Sequence, residues 1–150
     1  MFEIESAHIS AAGLSFQLPP GFTLLESQEP HVNPTLELRA PDGSYQLTVS
    51  LDRSEQTSEW ELHSILSEGG YTVLSPIAPF QQNDLSGHSA AYLSGRRGYW
   101  ELRVDLPNAK PGEPNTLVIQ LSTHWGRSVE SFCGSPDVAL LLQSLRTVSK

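Results

Sequence analysis

The stretch Thr35–Asp52, TLELRAPDGSYQLTVSLD, constrains the fold more than any other part of the chain. Leu36, Leu38 and Ala40 alternate with Glu37 and Arg39. After a break, Leu47, Val49 and Leu51 alternate with Gln46, Thr48, Ser50 and Asp52. Successive side chains of a strand point to opposite faces, so this alternation puts an apolar set on one side of a sheet and a polar set on the other. Pro41-Asp42-Gly43-Ser44 lies between the two runs. Proline presets φ for a turn and glycine reaches positive φ without steric cost, so the runs form an antiparallel hairpin. Such a sheet has an apolar face to bury and a polar face that still needs an explanation.

Other segments repeat the pattern. Phe2–Ile9 alternates weakly, with Phe2 and Ile4 against Glu3 and Glu5, and reads as one strand. Leu14, Phe16 and Leu18 form a second, stopped by Pro19-Pro20-Gly21, because proline cannot donate to a ladder. Phe22–Leu25 resumes extended structure, and Ser27–Pro34, with two prolines, reads as a loop. Tyr71–Gln82 carries Pro76 and Pro79, which makes it an edge strand or a bent one. Asn83-Asp84 turns the chain into Leu85–Ser94, and Gly95-Arg96-Arg97-Gly98 is a tight connection. Tyr99–Leu106 alternates most cleanly: Trp100, Leu102, Val104 and Leu106 face one way, and Tyr99, Glu101, Arg103 and Asp105 the other. After the polar loop Pro107–Asn115, the strand Thr116–His124 turns Leu117, Ile119 and Leu121 inward and ends at Trp125-Gly126-Arg127.

Two segments change to a helical period. Leu62, Ile65 and Leu66 mark an apolar stripe over Ser58–Glu68. Thr57 or Ser58 caps it, Glu59 and Glu61 sit in the first turn where the dipole favours anions, and Gly69-Gly70 closes it. Near the end of the chain, Ser135 is an N-cap, Pro136 suits the first helical position, and Val138, Leu141, Leu142 and Leu145 form the second stripe. Arg146 then falls in the last turn. At 150 residues the chain is expected to be a single domain, 1–150, able to bury its own core. The expected fold class is α+β: a single antiparallel β-sheet with two main helices packed on it.

This order resembles the PsbP-like superfamily, which includes a photosystem accessory subunit, the Ran-binding Mog proteins, DcrB-like proteins and chaperones associated with type VI secretion effectors. The resemblance rests on four stretches. Leu14-Ser15-Phe16-Gln17-Leu18-Pro19-Pro20-Gly21-Phe22 is similar to the family's opening strand, and the mid-chain helix closes on Gly69-Gly70. Leu85-Ser86-Gly87-His88-Ser89-Ala90 is similar to the glycine-punctuated strand that follows, and Leu142-Gln143-Ser144-Leu145-Arg146 to the closing helix. Phe22 stands where the family commonly has Trp, and the segment Met1–Ile9 precedes the family's usual first strand. The resemblance implies an α/β/α sandwich and a non-enzymatic role in binding or chaperoning another protein. It also implies, as an alternative, a secretion-associated chaperone or immunity-type protein of the DcrB-like kind.

The chemistry-bearing residues agree with a non-catalytic role. His8, His31, His63, His88 and His124 are scattered, with no metal-ligating spacing and no second cysteine, so no metal and no cofactor is expected. Cys133 reads as a small buried hydrophobe. No G-x-S-x-G elbow occurs, which leaves a small hydrolase only through a triad assembled in space. A net charge of −8 disfavours nucleic acid and anionic lipid. No run approaches the roughly 18 apolar residues that span a bilayer, and the start lacks the features of a secretory signal, so membrane insertion is not expected and a cytoplasmic location is.

What remains is binding. Arg96 and Arg97 form a local basic cluster in an acidic chain, and Tyr99 follows on the open face; arginine beside an aromatic is the composition of binding hot spots. The bland reading of the same cluster is a hairpin turn with solvated arginines. Trp125 with Arg127 is a second surface candidate. The polar alternation of Glu37, Arg39, Gln46, Thr48, Ser50, Glu101 and Arg103 predicts a partly open sheet face, since strands covered on both sides read as uniformly apolar. That face is either solvated or receives a partner, which is another protein or a second copy in a homodimer.

Overall fold

A computed structural model describes residues 2–26, 35–107, 109–123 and 129–148. The loop expected over Ser27–Pro34 lies outside the described residues. In chain order the elements are β1 (Glu3–Glu5), β2 (His8–Ala11), β3 (Leu14–Gln17), β4 (Thr23–Glu26), β5 (Thr35–Arg39), β6 (Tyr45–Asp52), α1 (Ser58–Glu68), β7 (Thr72–Gln82), β8 (Leu85–Ser94), β9 (Arg97–Asp105), β10 (Thr116–Thr123), α2 (Val129–Cys133), α3 (Pro136–Ser144) and β11 (Arg146–Thr147).

These strands build two sheets, not one. A seven-stranded sheet runs β4-β5-β6-β10-β9-β8-β7, and a four-stranded sheet runs β1-β2-β3-β11. Each described pairing is antiparallel. The chain is therefore mostly β. The expected single sheet with two helices packed on it is incorrect, and so is the α/β/α sandwich that the PsbP-like resemblance implied.

Three local causes account for the difference. Phe2–Ile9 is not one strand: Ser6 takes a left-handed φ of 56°, and β1 folds back on β2 with Ile4 opposite Ile9. Pro19-Pro20-Gly21, with Gly21 at φ 82°, separates β3 from β4, so β3 stays with the small sheet while β4 joins the large one. At the far end the helix stops at Ser144. Leu145 is extended, and Arg146 pairs with Ser15 in β11 instead of completing a helical turn.

The opening hairpin is as the alternation predicts. In β6, Tyr45, Leu47, Val49 and Leu51 are buried, with the polar residues between them half-buried. Leu36, Leu38, Leu47, Val49, Leu102, Leu117, Ile119 and Leu121 of the large sheet share one hydrophobic cluster with other layers. Ile9, Leu14 and Phe16 of the small sheet join it, as do Val129, Val138 and Leu141 of α2 and α3. Each such side chain removed from water contributes about 1.5–3 kcal/mol before ordering costs, so this cluster dominates the stability.

Helix α1 packs against β8, β7 and β9. Thr57 Oγ1 accepts a hydrogen bond from the Trp60 N–H and caps it. Ser58, at its start, bonds residues that belong to the polar face of the sheet, so α1 lies on the side away from the main core. Its anchor is Leu62, which is fully buried. Strand β7 is the sheet edge predicted from its prolines, and two irregularities in register bend it between Val73 and Ala78. No helix among the described residues is long and apolar enough to cross a membrane.

Candidate functional site

The polar face can be reconstructed from strand register. Reading across the large sheet, Arg39, Gln46, Ser122, Tyr99 and Tyr92 form one row. Glu37, Thr48, Gln120, Glu101 and Ala90 form the next, and Thr35, Ser50, Val118, Arg103 and His88 the third. Asp52, Thr116 and Asp105 form the last. The period-two geometry of strands keeps these residues on one side.

The part of this face under and beside α1 is tightly bonded. Arg103 Nε donates to Glu101 Oε2 at 2.8 Å. Gln120 Nε2 donates to Glu101 Oε1 and to the Tyr92 hydroxyl, each at 3.2 Å, and the Tyr92 hydroxyl donates to Glu101 Oε1 at 3.4 Å. Glu101 and Tyr92 are both buried, so each needs these partners to offset lost hydration. Burial, then the adjacent Glu101 carboxylate, pushes the Tyr92 hydroxyl well above the ordinary tyrosine range. Arg103 Nη1 is buried with no hydrogen-bond partner, and Asp52 Oδ2 lies 3.8 Å from it as an ion-pair neighbour.

An aromatic ladder continues the network. Tyr71 lies 4.7 Å from Tyr92 centroid to centroid, and Tyr92 stacks on Tyr99 at 5.3 Å with an interplanar angle of 24°. Offset ring stacks of this kind fix orientation as well as bury area. Tyr99 is thus held in place by its neighbour on β8.

At the start of α1 a second cluster assembles. Ser58 Oγ lies 2.8 Å from His88 Nδ1 and donates to Asp105 Oδ2 at 3.4 Å; His88 Nε2 lies 3.8 Å from Glu59 Oε2. A serine in contact with a histidine is the pair that a spatially assembled hydrolase requires. Here, however, Ser58 is only 4% exposed, its hydroxyl is shared with a carboxylate, and Glu59 and Asp105 surround it with negative charge. A developing oxyanion needs donors, not carboxylates. The cluster pins the first turn of α1 to β8 and β9.

Away from α1 the face is open. On β5 and β6, Glu37, Gln46, Thr48 and Ser50 are half-exposed, while Thr116, Val118 and Ser122 of β10 on the same face are buried. Leu25 of β4, opposite Glu37, is 45% exposed on the same side.

The sequence candidates fall unevenly on this surface. The connection between β8 and β9 is shorter than Gly95–Gly98. Gly95 and Arg96 turn the chain, and Arg97 already pairs with Ser94 as the first residue of β9. Arg96 and Arg97 are exposed, and Arg97 and Tyr99, two residues apart on β9, share the polar face. Trp100 points to the other side and packs against the core. Trp125 and Arg127 lie outside the described residues. Cys133 is half-buried against the core. A groove of about 720 Å³ lies elsewhere, lined by Leu14, Leu51, Leu106, Pro107, Pro114 and Val148 among others. It touches none of the polar-face rows.

Sequence reasoning missed the Ser58–His88–Asp105 cluster and the tyrosine ladder. Their members sit on α1, β8 and β9 and beside β7, and only strand order brings them together. The outward placement of Glu101 and Arg103 was the one local signal of the buried network. No protein-family model matches the chain, and no curated protein matches it.

Proposed function

We propose that this chain is a non-enzymatic binding domain that docks another protein on the open half of its polar sheet face. The observation that carries the reading is the asymmetry of the seven-stranded sheet. One face is sealed into the core. The other is covered by α1 over β7, β8 and β9, beside the network of Glu101, Arg103, Gln120 and the tyrosine ladder, and is half-exposed over β5 and β6. The reading favours binding over hydrolysis because Ser58 is buried and its hydroxyl is shared with the Asp105 carboxylate. A single cysteine allows no intrachain disulfide, which suits a reducing compartment, and the reading includes a cytoplasmic setting.

Affinity capture from the source lysate tests it. Wild type is compared with Ser50→Arg, which adds bulk and charge to the open face beside β5 without entering the core. The expected result is a discrete protein retained by wild type and lost with Ser50→Arg at unchanged Tm. Repeated failure to retain any protein, together with turnover of an ester or peptide substrate, overturns it.

A further inference from the structure

Helix α1 covers the sheet without belonging to its core. Leu62 is the one hydrophobic side chain of α1 that is buried, and it stands outside the hydrophobic cluster that joins the two sheets to α2 and α3. Ile65 and Leu66 are half-buried, and Trp60 is 50% exposed. Helix α3 is the contrast: Val138 and Leu141 within it, and Leu145 after it, all enter that cluster. A helix of eleven residues is marginal in water on its own and draws its stability from packing an apolar face. That packing is thin for α1.

The ties that hold α1 are polar and lie near its ends. Ser58 bonds His88 and Asp105, Glu61 accepts from the Ser54 hydroxyl, and the Tyr71 ring lies against Gly69. The network on the sheet does not depend on them. Tyr92, Glu101, Arg103 and Gln120 bond one another across β8, β9 and β10, so each keeps those partners when α1 lifts. Buried polar groups that retain their hydrogen bonds meet water without the cost of exposing an apolar core.

Both ends of α1 also have a pivot. Before it, the Asn115 side chain clamps Ser54: Oδ1 accepts from the Ser54 N–H at 2.9 Å, and Nδ2 donates to the Ser54 carbonyl at 2.7 Å. After it come Gly69 and Gly70, with Gly70 at φ 67°, a region that glycine enters and leaves without steric cost. A few residues at the ends of an element are what absorb the torsion changes of a hinged lid.

We propose that α1 is a lid, hinged at Ser54 and at Gly69-Gly70, that opens as a unit while the two sheets and α3 stay folded. Opening lifts Ser58 and Leu62 from the sheet and uncovers Ala90 and Tyr92 of β8, which are 1% and 4% exposed when it is closed. The polar side of β8 and β9 is thereby sealed or accessible according to the position of one helix. The lid belongs to the fold and needs no docked partner, so it stands or falls separately from the docking of a protein on β5 and β6.

Amide exchange of the isotope-labelled full chain, read residue by residue by NMR at several urea concentrations below the unfolding transition, tests the lid. The amides of Leu62–Leu66 should share one opening and exchange at least about 100-fold faster, corrected for intrinsic rates, than the slowest amides of β6 and β10. Their urea dependence should be the smaller, because a lid exposes less surface than the whole chain. Ile119→Val, in the main cluster, should speed the slowest β6 and β10 amides about fivefold. It should leave the α1 amides unchanged, because the closed and open forms lose the same contact. If the α1 amides are as slow as those of β6 and β10 and quicken with them in Ile119→Val, α1 leaves only when the whole chain unfolds and the proposal is overturned. A graded loss of protection from the helix ends inward, with no shared opening, is fraying and overturns it too.

Discussion

Replacing Arg103 by Met probes the network that orders the polar face. Glu101 is 5% exposed at its side chain and Arg103 11%, so the pair is shielded from solvent and its loss is not absorbed by hydration. In Arg103→Met the Glu101 carboxylate loses the 2.8 Å donor from Nε and keeps Gln120 and Tyr92. Removing one partner of a buried pair costs about 3–5 kcal/mol. The two retained donors place this site at the lower end, about 3 kcal/mol. For a chain of this length that lowers Tm by about 6–12 °C. Glu101→Gln, which keeps a neutral acceptor and leaves Arg103 near Asp52, should cost less, about 1–2 kcal/mol. The double variant should cost less than the sum, because a neutral amide at position 101 has no need of a cation. Urea unfolding of the four proteins gives the cycle. An Arg103→Met cost within about 0.5 kcal/mol of zero, or strict additivity in the double variant, refutes the claim that this pair organises the face.

Four further outcomes are expected. A Cβ on Gly87 would collide with the Arg103 carbonyl oxygen on the neighbouring strand, so Gly87→Ala should destabilise by at least about 3 kcal/mol or prevent soluble expression, while Ser86→Ala, on the exposed neighbour, changes Tm little. Ala12 holds a φ of 52° before Gly13 in the β2–β3 turn, and Ala12→Asn should raise stability by about 0.5–1 kcal/mol in urea unfolding. Ser58→Ala removes the link to His88 and Asp105 and should cost about 1–2 kcal/mol, with faster amide exchange confined to α1. Hydrogen bonding from Thr147 holds the exposed Asp84 carboxyl below its ordinary value of 3.8, so its contribution is complete above that value and fades as pH falls through the lower folded value. Thr147→Val should therefore lower stability at neutral pH and flatten the acid limb of the stability–pH curve.

Strands β5, β6, β9 and β10 of the large sheet were legible because each keeps one face in the core. Leu47, Val49 and Leu51 in β6 and Leu102 and Val104 in β9 announce themselves by alternation alone. The helix Ser58–Glu68 was legible from its cap and stripe, and its bounds match. The second sheet was not legible, because its decisive events are turns made by ordinary residues. Ser6 and Ala12 adopt left-handed φ without being glycine, and no local preference predicts that. Arg146 obeyed the rule for a cation at a helix C-terminus, yet pairing with Ser15 outweighed a helical turn. Tyr99 was placed on the open face by its parity. Its stack on Tyr92, and the arrival of Arg39 in the same row, depend on the order β5-β6-β10-β9-β8, which no single segment encodes.

The account stands on the open half of the polar face being where a partner sits. A photo-crosslinking amino acid at Thr48, in the middle of that half, measures this directly, with Lys110 in the exposed loop after β9 as the control position. Irradiation in the source lysate should give one discrete protein adduct from position 48 and none from position 110. No discrete adduct at position 48, or the same adducts from both positions, contradicts the account.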